Sequence, residues 1–158
     1  HIENYVKIIE FTNPAILSIM NECDLNHQFY TLRWFMLLLC QDLGINDSMR
    51  LWDSLLSAEG TEDGLKGNCR FQFVDFVAVA LVQGVSVRIL QEKDFAGCMQ
   101  NLQAAAHPDN MVDVDLLLEK ATLNCLNWMH HEIRTYGREN ARSTIYEPIL
   151  MSKYSAVD

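Results

Sequence analysis

The stretch Gln28-Phe29-Tyr30-Thr31-Leu32-Arg33-Trp34-Phe35-Met36-Leu37-Leu38-Leu39-Cys40-Gln41-Asp42 decides how the chain is read. Its apolar run, Trp34 to Cys40, is far shorter than the roughly 20 residues a membrane helix needs. Phe29, Leu32, Phe35, Met36 and Leu39 recur at helical spacing, and Trp34 and Leu38 widen the stripe. A helix apolar on nearly all sides belongs in the middle of a bundle. The segment is therefore expected to be a central, buried helix that Gly44 ends. Within it stands Arg33, a charge that is costly to bury unless paired.

The helical period continues on both sides. Ile2, Tyr5, Val6 and Ile9 mark one face of a short helix. Asn13 and Pro14 suit the cap and first position of a second, carrying Ile16, Leu17, Met20 and Cys23. After Gly44, Asn46 or Asp47 caps a helix with Met49, Trp52, Leu55 and Leu56 on its inner face. Residues 57–70 hold Gly60, Gly64 and Gly67 among charges, and are expected to be a mobile loop of variable length. Phe71 to Gln91 is rich in Val and Phe but too long for a typical strand. It reads as a helix in which Gly84 costs about 1 kcal/mol relative to Ala and marks close packing or a break. Asp94 caps a short helix through Leu102, His107-Pro108-Asp109-Asn110 is a turn cluster, and Asp113 or Asp115 starts a last helix ending near Gly137. The expectation is an all-α, irregular bundle of about seven helices over residues 1–137, with a weakly patterned tail over 138–158.

Composition narrows the function classes. The 158 residues are 49% hydrophobic and 21% charged, enough for a core and too apolar for a disordered chain. A net charge of -9 would repel nucleic-acid phosphates and anionic membrane surfaces. Cys23, Cys40, Cys69, Cys98 and Cys125 are odd in number, widely spaced and without a Cys-x-x-Cys pair. That argues against a disulfide framework or zinc ribbon, and for a reducing compartment, the cytosol. No signal peptide opens the chain, and a start at His1 rather than Met is expected of a fragment. His130 and His131 are adjacent, so on a helix they point about 100° apart and do not share a metal on one face. No Gly-x-Ser-x-Gly occurs, and the glycines of 60–67 lack the Gly-Lys-Ser/Thr of a phosphate loop. No metal or cofactor is expected.

Two polar-aromatic clusters remain: Leu32-Arg33-Trp34-Phe35 and Arg50-Leu51-Trp52-Asp53. The economical hypothesis is that Arg33 and Asp53 meet and lock two adjacent helices, with Asn, Gln or backbone carbonyls as competing partners. These clusters also carry a family resemblance. A helix with Phe/Leu-Arg-Trp followed after a short turn by Arg-x-Trp-Asp resembles the C-terminal half of a TBC domain, the fold of Rab GTPase-activating proteins. The apolar segment Phe71 to Leu81, then Asp94-Phe95 and Leu102-Gln103, follows in the family's order. Asp42-Leu43 stands where that family has an acidic-aromatic pair, and Gln83-Gly84 interrupts the apolar helix.

The resemblance implies structural roles for Arg33, Trp34, Arg50, Trp52 and Asp53, a GTP-bound Rab-family GTPase as partner, and a role in vesicle traffic. It also implies two catalytic motifs upstream of the Arg-Trp helix: an Ile-x-x-Asp-x-x-Arg supplying an arginine finger and a Tyr-x-Gln supplying a glutamine finger. Neither occurs in residues 1–27. The chain is thus expected to be a C-terminal lobe, a GTPase regulator rather than an enzyme and inactive alone. It would expose an apolar patch where the missing N-terminal lobe packs. Arg70, Arg134, Arg138 and Arg142 read as surface or helix-end residues rather than fingers. The protein would be cytoplasmic, peripheral to endomembranes through the GTPase. The alternatives are a non-catalytic TBC-like binding module, and an unrelated helical protein with coincidental motifs.

Overall fold

A computed structural model describes residues 1–59, 72–92, 94–107 and 112–136. Among them every regular element is a helix: α1 (Ile2–Thr12), α2 (Pro14–Glu22), α3 (Gln28–Leu37), α4 (Ile45–Glu59), α5 (Phe73–Gly84), α6 (Ser86–Ile89), α7 (Phe95–Gln103) and α8 (Val114–Tyr136). Residues 60–71 and 137–158, which include most of the expected loop and the whole tail, lie outside the described residues. Residues 57–59 of that expected loop are the last turn of α4.

The centre of the bundle is α5, not α3. Every residue from Phe73 to Val82 is buried. Four valines give this segment a poor intrinsic helix propensity, and burial on all sides overrides it. Its main neighbours are α8 and α1, and it also touches α3, α4 and α6. Gly84 is the last residue of α5, and Val85 separates it from α6, so of the two readings of Gly84 the structure has the break.

Several helix starts follow the local chemistry. Pro14 occupies the first turn of α2, where its missing N–H costs nothing. Asp94 caps α7 by accepting from the Gly97 N–H at 2.8 Å. Asp113 does the same for α8, accepting from the Leu116 N–H at 3.1 Å.

Helix α3 departs most from expectation. It stops at Leu37, and Leu38 and Leu39 follow in the left-handed region with φ of 44° and 62°. Its buried face is Tyr30, Thr31 and Trp34, while Phe29, Leu32 and Met36 point to solvent. Cys40, expected in an apolar helical pattern, is exposed in the turn that follows. Helix α4 is likewise rotated from the expected setting. Ser48, Leu51 and Leu55 face inward, whereas Met49, Trp52 and Leu56 are exposed.

Candidate functional site

The two motif clusters lie on consecutive helices, α3 and α4, joined by residues 38–44. Trp34 is fully buried, with its ring edge-to-face on Tyr30 at 5.2 Å between centroids. Its indole N–H finds no hydrogen-bond partner among the described residues. Tyr30 continues inward: its hydroxyl is 2.9 Å from the Tyr5 hydroxyl and 2.8 Å from His27 Nδ1. Burial raises the pKa of both phenols and lowers that of His27, so this contact is one between neutral groups. It anchors α3 to α1.

Arg33 does not pair with Asp53. Its guanidinium donates to Asp42, nine residues on and beyond the left-handed turn. Asp42 is 5% exposed while Arg33 is 43% exposed, so the cation reaches water over a sunken carboxylate. Burial raises the pKa of Asp42, and Arg33 and then His107 pull it back down. Asp53 is exposed on the outside of α4. The expected pairing failed because the helix rotation puts Asp53 and Trp52 outward, and because the tight turn at Leu38 and Leu39 folds Asp42 back onto the helix. Asp42 was legible as an acidic residue after the Arg-Trp helix, but its contact depends on a turn that two leucines do not announce.

The two helices are nonetheless clasped. Trp52 Nε1 donates to the Leu38 carbonyl at 3.0 Å, tying α4 to the end of α3. Arg50 Nε donates to Asp115 Oδ1 at 3.0 Å and its Nη1 to Ser54 Oγ at 2.8 Å, which links α4 to the start of α8 across an exposed surface. Arg33, Trp34, Arg50 and Trp52 each make a contact within the chain, and Asp53 is exposed.

A second polar cluster gave no sequence signal. Asp75, in the first turn of the buried α5, is 2.6 Å from His1 Nδ1 and accepts from Asn4 Nδ2 at 2.8 Å. Burial raises its pKa to about 7, against the Asn4 hydrogen bond. This cluster fixes α1 on α5. Of the other arginines considered, Arg134 lies in the exposed last turn of α8, and Arg70, Arg138 and Arg142 lie outside the described residues.

Around the motifs the outer faces are apolar. Phe29 and Met36 of α3 are 62% and 72% exposed, and Ile45 and Leu56 of α4 are 75% and 60% exposed. The Ile45, Met49, Trp52 and Leu56 series has helical spacing, so α4 carries a second apolar stripe outside its core-facing one. Large exposed apolar surfaces mark contact sites. His131 does not join His130 in a ligand set; it stacks on Phe11 with ring centroids 4.5 Å apart. Among the described residues no group of three or more His, Cys, Asp or Glu is placed to hold a metal ion. No helix of the described residues is long and apolar enough to cross a membrane. The arginines of the two motifs are held by in-chain partners, Arg33 by Asp42 and Arg50 by Asp115.

The sequence model of the Rab-GTPase-TBC domain matches residues 1–83, just over half of the chain and covering α1 through most of α5. The chain belongs to the Rab-GTPase-TBC domain family. A TBC domain-containing protein of Schizosaccharomyces pombe is 29% identical over 132 residues, covering 79% of this chain and 21% of the relative. TBC1 domain family member 13 of Homo sapiens is 32% identical over 102 residues, covering 65% of this chain and 22% of the relative. The Mus musculus protein of the same name is 34% identical over 102 residues. The chain spans about a fifth of the length of these TBC relatives. No solved structure gives a significant match.

Proposed function

We propose that the intact protein is a GTPase-activating protein for GTP-bound Rab-family GTPases, acting in vesicle traffic at the cytoplasmic face of endomembranes, and that this chain supplies the C-terminal lobe of its TBC domain. The observation that carries the reading is the family match over residues 1–83, which includes the Arg-Trp and Arg-x-Trp-Asp motifs. Hydrolysis on a small GTPase is slow because charge grows on the phosphoryl oxygens and the attacking water is poorly placed. An arginine supplied in trans accelerates it by about 10³–10⁵. Neither the Ile-x-x-Asp-x-x-Arg nor the Tyr-x-Gln pattern occurs anywhere in these 158 residues. Arg33 and Arg50 are engaged within the chain.

The reading therefore assigns the fingers to a preceding lobe, and the exposed apolar faces of α3 and α4 to contact with that lobe or with the GTPase. Single-turnover GTP hydrolysis over a panel of Rab proteins tests it. The intact protein should accelerate at least one Rab, and this chain alone should leave every intrinsic rate unchanged. Acceleration by the chain alone would make one of its own arginines a finger. Binding to GTP-loaded Rab by the intact protein with no acceleration of any Rab would replace the reading with that of a non-catalytic binding module.

A further inference from the structure

Cys23 and Cys98 lie 75 residues apart in sequence, with their sulfurs 3.8 Å from one another. Cys23 is the half-buried cap residue just after α2, and Cys98 is fully buried in α7. Both are free thiols. A disulfide needs its sulfurs about 2.05 Å apart, so closure asks for roughly 1.8 Å of approach, shared between two side-chain rotations. Cys23 caps α2, with its N–H bonded to the Ile19 carbonyl at 3.0 Å, and is followed by Asp24 at φ 51°, so closure falls on the side chains rather than on the backbone. Cys98 is held deeper. Burial, the neighbouring Cys23 thiol, and the carboxylates of Glu92 and Asp94 push its thiol up to about 11. Cys23 is the sulfur that an oxidant from solvent reaches first, and Cys98 is the sulfur placed to resolve the product.

We propose that Cys23 and Cys98 are a peroxide-responsive dithiol, a modification site that closes to an intramolecular disulfide joining α2 to α7. The Cys23 thiolate attacks one oxygen of hydrogen peroxide and the O–O bond breaks. Cys23 becomes a sulfenic acid, and the departing hydroxide takes a proton to become water. Cys98 then gives its proton to solvent, its sulfur attacks the Cys23 sulfur, and the S–OH bond breaks to release hydroxide, which is protonated to the second water. Two thiols and one peroxide give one disulfide and two waters, with two electrons passing from sulfur to oxygen. A dithiol reductant reverses the bond by exchange.

The site is independent of the GTPase reading. Its test uses the protein with Cys40→Ser and Cys69→Ser, which removes the exposed Cys40 thiol and the Cys69 thiol from the background. After equimolar peroxide, alkylation and digestion, mass spectrometry should find a peptide pair linked through Cys23 and Cys98, with the buried Cys125 still reduced. The Tm should rise by roughly 5 °C because the bridge restricts a long loop in the unfolded chain, and dithiothreitol should return it. In a Cys98→Ala variant the Cys23 sulfenic acid should persist and be trapped by dimedone. In a Cys23→Ala variant, checked for folding by circular dichroism, Cys98 should stay reduced. Over-oxidation of Cys23 to the sulfinic acid with no linked peptide would overturn the proposal, as would equally fast oxidation of Cys98 when Cys23 is absent.

Discussion

Arg33 shows how much a single charge depends on its surroundings. Its guanidinium is open to water on one side, yet its partner Asp42 is sunken and has one carboxylate oxygen without a hydrogen-bond partner among the described residues. Removing the arginine leaves a buried carboxylate uncompensated, which solvent reaching the site only partly offsets. Arg33→Met is therefore expected to cost about 1–3 kcal/mol, read from urea unfolding. Asp53→Ala should stay within about 0.5 kcal/mol, as for an exposed residue without such a role. A double-mutant cycle should show coupling of Arg33 to Asp42 and none to Asp53. Asp75 sets a pH dependence. Its carboxyl is raised from an ordinary 3.8 to about 7 by burial. Between these values the folded chain holds a proton that the unfolded chain releases, so this group's contribution to stability is full below about pH 4 and is lost as pH rises through 7. The urea midpoint of the Asp75→Asn variant should fall less than that of the parent between pH 5 and pH 7. An unchanged difference would mean that Asp75 is ionised throughout.

At the scale of the element, the turn from α3 to α4 governs the site. Two successive leucines in the left-handed region carry backbone strain of roughly 1–3 kcal/mol each. Burial of the Leu39 side chain and the Trp52 hydrogen bond to the Leu38 carbonyl offset it. Leu38→Gly relieves the strain at a half-buried position, so its net effect on stability should lie within about 1 kcal/mol. Leu39→Gly gives up a fully buried side chain and should cost about 2–4 kcal/mol. Helix α4 makes a similar contrast. Leu51 and Leu55 face the core, and replacing either with Ala should cost about 2–4 kcal/mol in chemical denaturation. Met49→Lys or Leu56→Lys, on the outer stripe, should leave stability within about 0.5 kcal/mol. Periodicity made α4 legible as a helix but not its rotation, because Ser48, Leu51 and Leu55 and the series Ile45, Met49, Trp52 and Leu56 are both spaced for one face. A helix with two apolar stripes is oriented by what it packs against.

Over the whole molecule, the outward stripes of α3 and α4 give the chain a surface that favours association. Light scattering of the chain should show concentration-dependent self-association, and Met36→Lys with Ile45→Lys together should return it to a monomer without lowering its urea midpoint. A monomer at all concentrations would count against those faces as contact surfaces. Much of the organisation was legible from local chemistry: the helical class, the cap at Asp94, a last helix starting at Asp113 or Asp115, Pro14 in the first turn of α2, and the family motifs. These features rest on groups a few residues apart, so the sequence contains both halves of each interaction. Tertiary structure alone decided that α5 rather than α3 is central, that Arg33 meets Asp42, that Asp75 joins His1 and Asn4, and that Cys23 meets Cys98. In each of these, burial or contact depends on how one segment is turned against another. Hydrophobic spacing leaves that rotation open, and packing closes it.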